Sequence, residues 1–226
     1  PIKTARTSFL GTYNMLELAI KVDAKILFAS SSEIYGNSKI NPQNENYHGN
    51  VNPIGLRSCY DEGKRIAETL CSDYKRIHNL DIRIIRIFNT YGPKMKPGDG
   101  RVISDFIHNA LRNKPLTVYG EGQQTRSFCY VDDLIEGMIS LMESEISTPI
   151  NIGNPNKLKI IDLAKKIKNK INPNLEIIFK KLPQDDPIQR QPDITKAKKE
   201  LGWKPKTFFE DGLDKTINWY REILKT

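Results

Sequence analysis

Tyr60 and Lys64 stand four residues apart in the run YDEGK. On a helix, residues at that spacing share one face. An ammonium held there lowers the pKa of a neighbouring phenol. A phenol so tuned can take a proton from a substrate alcohol. Tyr35 and Lys39 repeat the spacing, but Gly36 and Asn37 lie between them, and a loop gives such a pair no fixed geometry. A second cluster, Ser30-Ser31-Ser32-Glu33, follows the apolar run KILFAS. Three hydroxyls and a carboxylate there can hydrogen-bond and shuttle protons, because open parallel sheets bind ligands at the carboxyl ends of their strands. Serines that simply end a strand and close a turn fit the same string.

Those residues need a strand and a helix to hold them. Apolar spacing predicts a helix over 3–21, a buried strand over 25–30, a polar loop over 36–55, a long helix over 58–78 and a strand over 81–88. A loop rich in Pro and Gly spans 89–100. Beyond it lie a helix over 102–112, strands over 116–119 and 128–131, and a helix over 134–142 with Asp132 placed to cap it. A strand over 149–152, a helix over 159–171, a strand over 175–181, a charged loop over 182–192 and helices over 194–201 and 208–224 complete the chain. Alternating strands and helices imply an α/β fold with parallel strands. Shorter strands and longer loops after Gly92 suggest a smaller second lobe making up most of 92–226, with segments that return to the first domain.

The 226 residues include 35 Lys and Arg against 27 Asp and Glu, a net charge of +8. The basic residues are interspersed with acidic ones and carry no nucleic-acid motif, so an anionic small substrate fits the charge and nucleic acid is not expected. No apolar run is long enough to cross a bilayer. Cys59, Cys71 and Cys129 lack CxxC spacing and His48, His78 and His108 lack ligand spacing, so neither a disulfide framework nor a metal site is expected. Trp203 and Trp219 read as packing residues.

Taken together, SSSEIYG (30–36), YDEGK (60–64), RIFNTYGP (86–93), DGRVISDFI (99–107), LTVYGEGQQTRSFCYVDD (116–133), NIGNP (151–155), QDDPIQRQPD (184–193) and LGWKP (201–205) resemble the extended short-chain dehydrogenase/reductase family that acts on nucleotide sugars. The resemblance implies a Rossmann-like doubly wound parallel sheet with a smaller C-terminal substrate lobe. Ser31-Ser32-Glu33 and QDDPIQRQPD are most similar to the branch that decarboxylates UDP-glucuronate. That implies NAD-dependent conversion to UDP-xylose through a 4-keto intermediate. The 4,6-dehydratases, the 4-epimerases and a non-catalytic UDP-sugar-binding remnant stay open as alternatives.

By matched position, the resemblance makes Tyr60 the base, with Lys64 tuning it and bonding the nicotinamide ribose. It makes Ser31 the partner of the C4 oxygen, and Glu33 the residue that positions or protonates the ring intermediate. Thr7, Ala29, Ser30 and Thr90 would line NAD. Asn89, Arg101, Tyr119 and Arg126 would hold the UDP portion, and Arg190 would meet the sugar carboxylate. A homodimer through 3–21 and 58–78 is implied too. So is a cytoplasmic site, or a Golgi-lumenal one if an anchor precedes Pro1, since this chain carries no anchor. The family's Gly-rich phosphate turn is not found; the nearest string is Gly120-Glu-Gly122. Together with the start at Pro1, this implies a Rossmann domain, represented here by 1–91, that lacks its first βα units, on the order of 60–90 residues. Ser8 stands where the family usually has Asn.

Overall fold

A three-stranded parallel sheet carries the chemistry-bearing residues in the computed structural model, which describes residues 1–182 and 189–224. Its strands are β1 (Ile26–Ser31), β2 (Ile82–Ile87) and β7 (Ile150–Ile152), ordered β1-β2-β7. β2 is central, and its first five residues are buried, as a strand covered on both faces requires. Ile82 and Ile84 pack toward α2 (Thr12–Val22) and α3 (Ser58–His78) with Leu16, Ala19 and Cys71. Ile85 packs the other way, with Leu134 and Leu141 of α5 (Val131–Glu143) and Ala197 of α7 (Thr195–Leu201). The alternation is the two-residue period of a strand. The architecture is therefore α/β with helices on both faces of a parallel sheet.

The helix expected over 3–21 is observed as α1 (Ile2–Arg6) and α2 joined through a π turn at Thr7–Gly11. Inserted π turns of this kind recur at functional sites. α3 crosses closely beside it. A Cβ on Gly63 would stand 2.9 Å from both Cβ and Oγ of Ser8, so only glycine allows this approach. Replacing Gly63 by Val should destabilise the protein by about 1–3 kcal/mol despite the better helix propensity. A urea midpoint equal to or above wild type would refute that.

A second hydrophobic cluster joins α4 (Val102–Leu111), β4 (Leu116–Tyr119), α6 (Ile160–Ile171) and α8 (Phe209–Leu224) through Phe106, Leu116, Leu163 and Ile217. β4 pairs in parallel with β9 (Ile177–Lys180). β3 (Thr90–Tyr91) pairs with β6 (Cys129–Tyr130), and β5 (Thr125–Ser127) is flanked by β8 (Lys157–Lys159) and β10 (Gln189–Arg190). The strand expected over 128–131 is the short β6, and β3, β5, β8 and β10 were not expected. β10 falls in the stretch expected to be loop; positions 184–188 of QDDPIQRQPD lie outside the described residues.

Asp132 does not cap α5, whose N-cap is Tyr130 with no side-chain cap. The neighbouring Asp133 is buried and accepts hydrogen bonds from Thr207 N and Oγ1, both at 3.1 Å. Its backbone carbonyl accepts from the buried Trp203 Nε1 at 2.9 Å. The carboxylate fastens the chain after Gly202 to the start of α5 and leaves the cap unmade. Among the described residues no helix is long and apolar enough to cross a membrane, and no metal-ligating cluster is found.

Candidate active site

Tyr60, Lys64 and Glu68 form one stripe along α3, each one helical turn from the next. Lys64 Nζ donates to Ala29 O of β1 at 2.8 Å and lies 5.1 Å from the Phe28 ring centroid and 5.8 Å from that of Tyr60. Burial pulls its pKa below the ordinary lysine value. Tyr60 is 37% exposed at the open edge of the sheet, as is the backbone of Ala29. Ser30 is turned inward: its hydroxyl donates to Glu68 Oε1 at 2.5 Å, so only its backbone is free to face a ligand.

Glu68 in turn is clasped by Arg86 of β2, with Nη2 to Oε2 at 2.7 Å and Nε to Oε1 at 3.0 Å. Arg86 also donates to Tyr35 Oη at 3.0 Å, which donates to Asn151 Oδ1 at 2.8 Å. Burial opposes the charge on Arg86, but Glu68 and the Tyr35 oxygen outweigh it and raise its pKa. Burial likewise pushes Tyr35 up to about 12. This network fixes the axial register of α3 against β1 and β2, and so the height of Tyr60 above the strand ends.

Beyond β1, Ser31 Oγ caps a 3₁₀ turn at Ser32–Tyr35 by accepting from Glu33 N at 3.2 Å. The Glu33 carboxylate lies between two guanidiniums, Arg57 Nη2 at 2.8 Å and Arg190 Nη1. Burial alone would raise the Glu33 pKa; Arg190 and then Arg57 reverse the sign and hold it below the usual range. In the absence of a ligand, Glu33 is therefore an anion rather than a proton donor. A cavity of about 270 Å³ opens here, lined by Glu33, Asn50, Arg57, Asp61 and Arg190 among others. Asp61 is buried, and its Oδ1 has no hydrogen-bond partner among the described residues; nor does Arg190 Nη2.

A larger cleft, about 530 Å³, is lined by Asn89, Thr90, Arg101, Tyr119 and Arg126. All four residues matched to a UDP moiety thus face one space, although they come from two strands and two separate loops. Thr90 Oγ1 donates to Phe88 O at 2.9 Å, and Arg101 is paired with Asp99. Arg126 Nη1 donates to Thr125 O at 3.0 Å. Thr7 is exposed on the π turn. Gly122 of the nearest glycine string is packed against Val118 and Ile161, where it serves the turn after β4. Sequence reasoning missed Arg57 and Asp61. Both flank Tyr60 closely in the chain, and their place at the start of an amphipathic helix was the available signal.

The model of the GDP-mannose 4,6 dehydratase family matches residues 1–216. The chain is 57% identical to UDP-glucuronic acid decarboxylase 5 of Arabidopsis thaliana over 213 residues, covering 94% of this chain and 62% of that protein. It is 52% identical to UDP-glucuronic acid decarboxylase 1 of Xenopus tropicalis, covering all of this chain and 53% of that protein. The chain thus spans between half and two thirds of the length of these relatives. Among solved structures, UDP-glucose 4-epimerase of Thermotoga maritima, solved with UDP-glucose, superposes with a TM-score of 0.91 at 29% identity, covering 97% of this chain and 71% of that one. UDP-glucuronic acid 4-epimerase of Bacillus cereus, solved with UDP-glucuronic acid and NAD, gives 0.85 at 29% identity, covering 96% and 68%. With the Tyr60–Lys64 stripe placed against the strand ends and the family model covering nearly its whole length, the chain belongs to the GDP-mannose 4,6-dehydratase family of extended short-chain dehydrogenases/reductases.

Proposed function

We propose that the protein containing this chain decarboxylates UDP-glucuronate to UDP-xylose, with NAD as its resident cofactor. The observation that carries this reading is the convergence of Arg57 and Arg190 on one carboxylate in a cavity that Ser58 and Asp61, from the start of the Tyr60 helix, help to line. Paired guanidiniums suit a planar carboxylate. The names of the decarboxylase relatives support the same reading. Arg101 and Arg126 in the larger cleft suit a diphosphate, with Asn89 and Tyr119 holding the rest of the UDP moiety.

Residues of this chain fit the nicotinamide end of the cofactor. Lys64 has three N–H donors and gives one to Ala29 O, beside the exposed Tyr60 hydroxyl and the open edge of β1. Bound NAD supplies a hydride acceptor, and later a hydride donor, at sugar C4. Tyr60 takes the C4 hydroxyl proton, Ser31 holds the C4 oxygen, and Lys64 keeps a positive charge beside Tyr60. The ketone at C4 makes the sugar acid a β-keto acid, so the electron pair left by carbon dioxide delocalises onto the C4 oxygen. Glu33 positions the ring as an anion. The cofactor side falls within residues 1–91 and the UDP-sugar lobe mainly within 92–226. A second copy docking along 3–21 and 58–78 is part of this reading, and the exposed Phe9, Leu10, Met15, Leu18 and Ile66 support it.

Incubating the full-length protein with UDP-glucuronate and NAD should release carbon dioxide and UDP-xylose, read by mass spectrometry. A 4-keto-6-deoxy sugar or a C4-inverted sugar acid would place it with the dehydratases or epimerases instead. UDP binding without turnover would make it a nucleotide-sugar-binding protein.

A further inference from the structure

The cavity at the start of the Tyr60 helix holds two carboxyls in opposite situations. Glu33 is gripped by two guanidiniums. Asp61, which the mechanism above does not use, is more than nine-tenths buried on the same cavity, with Oδ1 unpartnered among the described residues. A buried carboxylate with a vacant acceptor is unfavourable, whereas the neutral acid places a hydrogen there to donate. The charged groups bearing on Asp61 are Glu33 from the 3₁₀ turn, Arg57 preceding α3, Arg190 of β10, and Glu62 on its own helix. Burial first, and the Glu33 charge second, push Asp61 up to about 6. Glu33 is shifted the other way. Neighbouring carboxyls driven apart in this manner commonly split acid and anion roles.

We infer that Asp61 carries the exchangeable proton of this cavity and delivers it to the sugar ring. The inference rests on the decarboxylase reading. Loss of carbon dioxide breaks the C5–C6 bond and leaves its electron pair in an enolate across C4 and C5. A C5–H bond must then form. Tyr60 holds the proton taken from the C4 hydroxyl and needs it for the return step, so a second donor is required. The enolate pair becomes the C5–H bond, the Asp61 O–H bond breaks, and the Asp61 carboxylate is reprotonated from water. One proton is consumed for each carbon dioxide released.

Two measurements on the full-length protein test this. The first needs no substrate: the Asp61 carboxyl carbon, assigned by its loss in Asp61→Asn, is titrated by ¹³C NMR. A midpoint near pH 6 that moves down in Glu33→Gln is expected. A midpoint in the ordinary aspartate range, near 4, overturns the inference. The second follows turnover. Asp61→Asn should slow C5–H bond formation, and with it overall turnover, at least tenfold, leave KM for UDP-glucuronate within about twofold, and let enzyme-bound NADH accumulate before that step, with Asp61→Glu restoring part of the rate. Unchanged turnover to UDP-xylose with an unchanged pH profile in Asp61→Asn overturns it equally. If wild type makes no UDP-xylose, the functional reading fails on its own, and the titration still decides whether Asp61 holds the proton.

Discussion

Tyr60→Phe in the full-length protein should lower kcat for UDP-glucuronate, the proposed substrate, by about 10²–10⁴-fold, the usual contribution of a positioned general base. The substitution removes one hydroxyl from an exposed ring, and among the described residues that hydroxyl makes no hydrogen bond within the chain. Stability should therefore stay within about 0.5 kcal/mol of wild type. UDP affinity should not move, because the cleft holding Arg101, Tyr119 and Arg126 does not include Tyr60. The combination of lost turnover with retained melting temperature and retained UDP binding by calorimetry is the signature to look for. Turnover within threefold of wild type would remove Tyr60 from the chemistry.

Arg86→Met should produce the largest loss of stability. It leaves the Glu68 carboxylate largely buried without its ion-pair partner and strips a donor from Tyr35 Oη and from Glu45 O. Breaking one side of a buried pair costs about 3–5 kcal/mol, because an uncompensated charge stays behind. The double variant Glu68→Gln with Arg86→Met should lose less than the two single losses combined, since both act on one contact. Urea denaturation measures both. A loss under about 1 kcal/mol for Arg86→Met would mean that water reaches Glu68. Activity in the surviving fraction should fall as well, because Glu68 also anchors Ser30 and sets the register of the Tyr60 helix.

The elements nearest the chemistry were the most legible. α3 and β2 carry long periodic patterns, and the helical spacing of Tyr60 and Lys64 follows from the pattern alone. The sequence motifs identified the residues around the larger cleft, but periodicity did not, because Asn89, Arg101, Tyr119 and Arg126 meet only through tertiary folding. Strands of two or three residues, such as β3, β8 and β10, owe their existence to a partner distant in the chain and leave no local period. Asp132 looked like a cap by type and place; Asp133 and Thr207, 74 positions apart, determine the actual arrangement. The inward turn of Ser30 was hidden for a similar reason: Glu68 receives its hydroxyl, and Arg86 fixes Glu68. Arg57 and Asp61 escaped because their role depends on Glu33 and Arg190 arriving from elsewhere.

The clamp on Glu33 joins positions 157 apart in the chain. The strand that delivers Arg190 is held by β5, and Gln191 N donates to Gln43 Oε1 at 2.8 Å just beyond it. Contacts of such sequence separation close after local helices have formed, because loop-closure entropy must first be overcome. Capture of a carboxylate ligand therefore reports on late assembly. During refolding, far-ultraviolet ellipticity from α3 should recover first, and affinity for the sugar acid only when the return segment has docked. The same ordering makes the clamp an early casualty of partial unfolding: the proposed recognition of an acid substrate would be lost while most of the helices persist.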